Sequence, residues 1–203
     1  MRTIDTHQHG LEAGQRPRHA LLALRRGFTL MELMVALAII AVLASGALPS
    51  FQSLLQRQRM RTAANDLVAA IDLTRSQAIG RGSPVVLAPI DPDGTAWEQG
   101  WIVFIDSNAN RRPDAGEEEI FRQEQVADGI TIRSRFSSGA AAQYLAYNGA
   151  GRSCQTGNSQ AAQFGTLTLE FGEQRKHIKI NMLGRVRLCD PRTQPATCTG
   201  AGD

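Results

Sequence analysis

Cationic side chains recur at alternate positions in three short segments. Arg133 and Arg135 alternate with Ile132 and Phe136, Arg175 and Lys179 with Ile178 and Ile180, and Arg185 and Arg187 with Val186 and Leu188. In an extended strand successive side chains point to opposite faces, so each cationic pair lands on one outer face with the apolar residues turned inward, and Arg133/Arg135 and Arg185/Arg187 stand about 6.6 Å apart. That separation is comparable to successive phosphates along a nucleic-acid strand. Guanidinium forks suit phosphate oxygens, and such contacts are indifferent to base sequence and sensitive to salt. The same arginines would also serve as the solvated face of an ordinary strand. Tyr144 and Tyr147 are expected to be part core and part surface, where a ring could stack a base beside the arginines.

The elements that must carry these residues follow from patterning. The chain has 203 residues, 42% apolar and 20% charged, ordinary values that exclude wholesale disorder and a multi-span membrane protein. Its net charge of +3 resides in the first 27 residues, where five arginines face Asp5 and Glu12. His7, His9 and His19 also lie there, leaving only His177 beyond, so a multi-histidine centre is nearly excluded. Phe28 to Leu48 is a run of 21 residues with a single charge, Glu32. A helix of that length spans about 30 Å, the thickness of a bilayer's hydrocarbon core. Arg25 and Arg26 precede it and hold the N-terminus in the cytoplasm by the positive-inside tendency. The run is long for a cleaved secretory core. For a plain anchor, a carboxylate four residues in costs about 2.5–3.5 kcal/mol on insertion scales.

The residues that explain this cost resemble a known signal. Gly27-Phe28-Thr29-Leu30-Met31-Glu32, after two arginines and before an apolar run with Pro49 at its end, is similar to the prepilin peptidase recognition sequence of type IV pilins and type II secretion pseudopilins. The resemblance implies cleavage between Gly27 and Phe28 by the prepilin peptidase/methyltransferase and methylation of the new Phe28 amine. It also implies pairing of Glu32 with the terminal amine of a neighbouring subunit. A cation on an adjacent helix is what makes an intramembrane acid tolerable.

Beyond Pro49, which should bend the helix rather than end it, apolar residues continue at helical steps. Phe51, Leu54, Leu55, Met60, Ala63, Leu67, Ala70, Ile71 and Ala78 form the stripe, opposed by Arg57, Arg61, Asn65, Asp72 and Arg75 until Gly80 and Gly82. Alternation then predicts strands over Val85–Ala88, Trp101–Asp106, Glu119–Gln123, Ile130–Phe136, Gln143–Tyr147, Thr166–Phe171, His177–Asn181 and Arg185–Cys189. The fold class is α+β: a long N-terminal helix packed on a strand-rich antiparallel domain. The boundaries are a leader over 1–27, a transmembrane part over 28–48, an amphipathic part over 49–82, a periplasmic β-rich domain over 83–189 and a loose tail over 190–203. Charge is segregated, with three basic against ten acidic residues over 91–130 and nine against four over 131–203.

Gly184-Arg185-Val186-Arg187 resembles the glycine-arginine-any-arginine motif of the FimT-like branch of the GspH/FimT family, and the chain from Arg25 to about Cys189 is similar to that family as a whole. The resemblance implies a pilin-like fold and a minor pilin that assembles with other pilins or pseudopilins. It also implies DNA contact in natural transformation through Arg185 and Arg187, helped by Arg133, Arg135 and Lys179. The alternative within the family is a structural minor pseudopilin of type II secretion with no DNA role. Either is an inner-membrane protein with a cytoplasmic N-terminus and a periplasmic domain, later part of a fibre.

Three further features remain. Asp106, Asn108, Asn110, Asp114 and Glu117 fall at calcium-loop spacing, but Arg111 stands where that loop needs glycine, so a solvated Asx-turn loop is the favoured reading. Cys154, Cys189 and Cys198 lie in the segment read as periplasmic, an oxidising compartment, where Cys189 pairs with Cys198 or with Cys154 and one thiol stays free. No glycine-rich phosphate loop, nucleophile elbow or histidine-carboxylate constellation occurs, so neither enzyme activity nor a cofactor is expected.

Overall fold

The computed structural model describes residues 27–139 and 143–198, except the side chains of 46–50 and 197. The leader, apart from Gly27, and the last five residues of the tail fall outside these residues. The chain divides into two compact units, Met1–Gly46 and Ala47–Asp203.

In the first unit Thr29 opens helix α1, Leu30–Arg81. The Glu32 N–H donates to the Thr29 hydroxyl at 3.2 Å, while the Glu32 carboxylate accepts the Thr29 N–H at 3.3 Å and its hydroxyl at 3.4 Å. This reciprocal pairing is a capping box, which satisfies donors that have no partner within the helix. Every side chain described from Phe28 to Ser45 is exposed although most are apolar, and a helix apolar all round belongs in a non-aqueous surround. Among the described residues no helix is long and apolar enough to cross a membrane. The expected span over 28–48 runs on into side chains outside the described set.

In the second unit α1 buries Met60, Ala63, Ala64, Leu67, Ala70, Ile71 and Ala78, the three- and four-residue steps expected of it. Phe51, Leu54 and Leu55, expected on the same stripe, are exposed by 57%, 60% and 40%. The helix joins the core cluster only from Met60 onward. At the far end the Gly82 N–H donates to the Ile79 carbonyl at 3.3 Å. A Cβ on Gly149 would stand 2.6 Å from the Gly82 carbonyl carbon, so the helix terminus and a sheet turn touch backbone to backbone, an approach only glycine allows.

Two antiparallel sheets follow. One contains β1 (Val85–Pro89), β2 (Trp101–Phe104), β3 (Glu119–Gln123), β5 (Leu145–Tyr147), β6 (Ser153–Gln155) and β7 (Asn158–Ala162). Its order is β3-β2-β1-β5-β6-β7. The other contains β4 (Thr131–Phe136), β8 (Gly165–Phe171), β9 (Gln174–Ile180) and β10 (Val186–Cys189), in the order β10-β9-β8-β4. All eight expected strands are present. The second stops at Phe104 because Asp106 turns into a loop, and the seventh starts at Gln174 because it pairs with Phe171 across Gly172. β6 and β7 were not expected, since β6 is only three residues long and β7 is polar.

Strand β1 is buried throughout. Val85 and Leu87 face the helix cluster with Trp101, Val103, Leu145, Leu167 and Ile178. Val86 and Ala88 face a second cluster with Ile102, Phe104, Tyr144, Ala146 and Cys154. Loops lie over this second cluster: the Arg111 guanidinium stands 5.2 Å from the Tyr144 ring centroid, and Arg112 Nη1 donates to the Asp91 carbonyl at 2.8 Å.

Candidate nucleic-acid interface

Register decides which cationic side chains meet. Arg187 pairs with Lys179, Lys179 with Thr166, and Thr166 with Arg135, one row across the four-stranded sheet. The next outward row is Cys189, His177, Thr168 and Arg133. Between them Ile178 and Leu167 point to the core, so the predicted alternation holds. Arg133, Arg135, Arg185 and Arg187 are exposed.

Lys179 departs from the expectation. It is only 5% exposed, as is its neighbour Thr166, so it offers no surface charge to a phosphate. It stands on an interior strand with a partner strand on each side. The Cys189–Cys198 disulfide, Cα–Cα 5.7 Å, also draws helix α2 (Pro195–Cys198) to this sheet. Of the tail expected to be loose, the described residues 190–198 are therefore anchored. Asp190 accepts Lys176 Nζ at 3.1 Å and the Arg192 N–H at 2.9 Å, and its carbonyl accepts the Gln194 N–H at 2.8 Å. Burial opposes ionisation of Asp190, but the Lys176 bond and the backbone N–H groups outweigh it and hold the carboxyl below its ordinary range. Of the two disulfide pairings left open by sequence, the structure forms Cys189–Cys198. Cys154 stays a free buried thiol, pushed by burial up to about 11.

The arginines thus occupy two edges rather than one continuous row. Arg133 and Arg135 ride β4, and Arg187 rides β10, three strand spacings or about 14 Å away. Arg175, between them, is bonded to Glu170 at 2.6 Å. Leu188, expected inside, is 38% exposed because β10 is an edge strand.

Arg185 leaves a tightly held hairpin, Asn181 to Arg185. The Asn181 side-chain oxygen accepts the N–H groups of Leu183 and Arg185, both at 3.0 Å, and the Gly184 N–H donates to the Asn181 carbonyl at 2.8 Å. Gly184 has φ +74°, and a Cβ there would meet Tyr147 at 2.5 Å and backbone of Gly151 and Ser153 at 2.9 Å. Its carbonyl accepts the Tyr147 hydroxyl at 2.9 Å and Arg75 Nη1 at 3.2 Å. The glycine of the motif is therefore structural, and Arg75 is a strut rather than part of the solvated helix face. Tyr147 is fully buried and burial drives its phenol far above the ordinary range. Tyr144, beneath Arg111, is 1% exposed. Neither ring is available to stack a base.

The loop over 106–117 consumes its own acceptors. Asp106 takes the N–H groups of Asn110 and Arg111 at 3.1 and 3.0 Å, and Asn108 takes that of Asn110 at 3.0 Å. Asn110 takes the Arg112 N–H at 2.8 Å, while Glu117 takes those of Ser107 and Asp114 at 2.7 and 3.1 Å. Burial raises the Asp106 carboxyl despite these bonds. Arg111 sits at φ +69° and donates to the Thr156 hydroxyl at 3.0 Å, which is how an arginine comes to occupy the glycine position. Among the described residues no group of three or more His, Cys, Asp or Glu is arranged to hold a metal ion.

Sequence reasoning missed Arg152, exposed on the turn beside the hairpin, and the exposed pair Met182 and Leu183 at its tip. Asn181 and Gly184, both turn formers, were the available signal.

Residues 63–184 match the family described as type II transport protein GspH, and residues 22–48 match the prokaryotic N-terminal methylation motif. A curated relative, the pilin-like protein PilA1 of Thermus thermophilus, is 39% identical over 94 residues, covering 46% of this chain and 56% of its own length. The chain thus spans about half the length of that relative. The fold resembles the type IV minor pilin FimU of Pseudomonas aeruginosa, with TM-score 0.52 and 16% identity over 68% of this chain and 92% of that one. The minor pseudopilin EpsH of the Vibrio cholerae type 2 secretion system aligns at TM-score 0.45 and 15% identity, over 66% and 98% of the two chains. With a helix-on-sheets fold, a methylation motif at its front and a family match across more than half its length, the chain belongs to the GspH family of pilin-like proteins.

Proposed function

We propose that this chain is a minor pilin that contacts DNA through Arg185 and Arg187, with Arg133 and Arg135 as a second cationic edge. It is made as a prepilin, held in the inner membrane by 28–48, cut between Gly27 and Phe28 by the prepilin peptidase, and methylated on Phe28. Glu32 then receives the amine of a neighbouring pilin, exchanging its bonds to Thr29 for that cation. Its role is assembly and contact, not catalysis. The observation that carries the DNA reading is the exposure of Arg185 at the end of a hairpin fixed by Tyr147, Arg75 and Asn181, with Arg187 exposed on the adjoining β10, since a backbone already held in place loses little order on binding.

The test is titration of the full chain in nonionic detergent with duplex DNA at two salt concentrations. Four phosphate contacts predict an affinity drop of roughly 100-fold between about 50 and 200 mM salt. Replacing Arg185 and Arg187 by Ala should weaken binding and flatten that slope. A second reading, a structural pseudopilin without DNA contact, draws on the family match, which ends at Gly184 just before the two arginines. Absence of binding at the lower salt selects it. Processing is tested separately: a Gly27 variant should remain uncut, and an Ala at Glu32 should stop incorporation into the fibre.

A further inference from the structure

The hairpin that presents Arg185 also presents two apolar side chains to solvent. Met182 is 53% exposed and Leu183 is 49% exposed, at the tip of a turn whose backbone is fixed by the two Asn181 bonds and by the anchored Gly184 carbonyl. A solvated turn needs neither side chain, and the two stand adjacent rather than as the singly scattered apolar residues that need no explanation. Exposed arginines stand next to this pair in the chain and on the abutting turn, with the Asp72 carboxylate near Tyr147 on the helix side. Arg185 follows directly, Arg187 lies two residues on, and Arg152 is exposed on the neighbouring turn. That turn abuts the hairpin: the Ser153 hydroxyl donates to the Asn181 carbonyl at 3.0 Å, and a Cβ on Gly184 would lie 2.9 Å from the Gly151 oxygen.

We propose that the Asn181–Arg185 hairpin is a wedge for duplex DNA, with Met182 and Leu183 entering a base step from the minor groove while Arg152 and Arg185 hold the flanking phosphates. This rests on the DNA reading above and adds to it a second, salt-independent component and a role for Arg152. Rigid backbone, protruding aliphatic side chains and flanking arginines are what insertion between base steps requires. The polyanion, not an apolar protein face, is favoured as occupant because exposed Arg185 ends the hairpin and exposed Arg152 stands on the turn that abuts it. Flexible pyrimidine–purine steps open most readily, so TpA-containing duplexes are the preferred target.

The experiment uses the full chain in nonionic detergent and a duplex with 2-aminopurine at a TpA step, followed by anisotropy and base fluorescence across a salt series. Wild type should raise the base fluorescence on binding, because unstacking relieves quenching. Met182→Ser with Leu183→Ser should bind about tenfold more weakly, as expected for losing burial of two half-exposed apolar side chains. Its salt slope should be unchanged and its fluorescence rise lost. Arg152→Ala should weaken binding and reduce the slope by about one contact. Emission from the buried tryptophans Trp97 and Trp101 checks that each variant is folded. If the double serine variant binds and brightens the probe like wild type while the variant with Ala at 185 and 187 still binds weakly, the wedge is wrong and the DNA reading stands. If wild type does not bind at low salt, the DNA reading itself fails and the wedge with it. If the serine variant keeps DNA affinity but drops out of the fibre, the hairpin docks a protein subunit and the proposal is overturned.

Discussion

Replacing Gly184 by Ala separates structure from recognition in the segment that carries the arginines. The residue sits at φ +74°, where an added Cβ would meet Tyr147 at 2.5 Å and backbone atoms of Gly151 and Ser153 at 2.9 Å. The left-handed backbone costs an L-residue about 1 kcal/mol, and crowding into a packed site adds about 1–3 kcal/mol. Displacing the carbonyl from the Tyr147 hydroxyl adds about 1 kcal/mol more. The sum, about 3–5 kcal/mol, corresponds to a melting point lower by about 10 °C for a unit of this size. Trp97 and Trp101 are the two tryptophans of the chain and both are buried in the second unit, so fluorescence reports its unfolding without interference from the apolar helix. Well below its melting point the variant should retain the arginines' affinity for DNA within a few-fold, because Arg185 and Arg187 remain. A melting point within 2 °C of wild type would refute the steric argument. A normal melting point combined with complete loss of DNA binding would show that the glycine acts at the DNA and not in the fold.

Tyr147→Phe should cost about 1–2 kcal/mol, a smaller loss than Gly184→Ala, since only the hydroxyl bond is removed and Arg75 still reaches the carbonyl; denaturant titration measures it. Cys154, with its thiol pushed up to about 11, should resist alkylation at pH 8 in the native chain and react once the chain is unfolded, read by mass spectrometry. Asp190 has a lowered pKa when folded, so its contribution is present above the unfolded value near 4 and disappears as pH falls through the folded one; Asp190→Asn should flatten the acid limb of the stability profile. Reduction of Cys189–Cys198 should free the tail end, and proteolysis after Asp190 should then outpace cleavage of the oxidised protein.

What the sequence revealed and what it hid divide along physical lines. The long helix, eight strands and the outward set of arginines were legible because periodicity is written in local residue types. Lys179 was misjudged because alternation fixes the face of a strand but says nothing of what covers that face. Tyr144 and Tyr147 were misjudged for the same reason: their concealment depends on Arg111 and on the Asn181–Arg185 hairpin, both distant in sequence. Strands β6 and β7 carried no signal, since polar residues such as Asn158, Ser159 and Gln160 pair through backbone groups that every residue shares. The exposed start of the helix stripe at Phe51, Leu54 and Leu55 likewise depends on where the sheets end.

The meeting of Gly82 and Gly149 has a mechanical meaning. Side chains between two packed elements act as cushions that shear and repack under load, but here peptide units abut with nothing between them. Tension along the last turns of α1 passes through the covalent chain into β1, whereas compression is taken up by backbone against backbone at the turn joining β5 and β6. Such a joint has no side chains to rearrange, so the end of α1 is a hard stop that can move no closer to that turn without distorting peptide geometry.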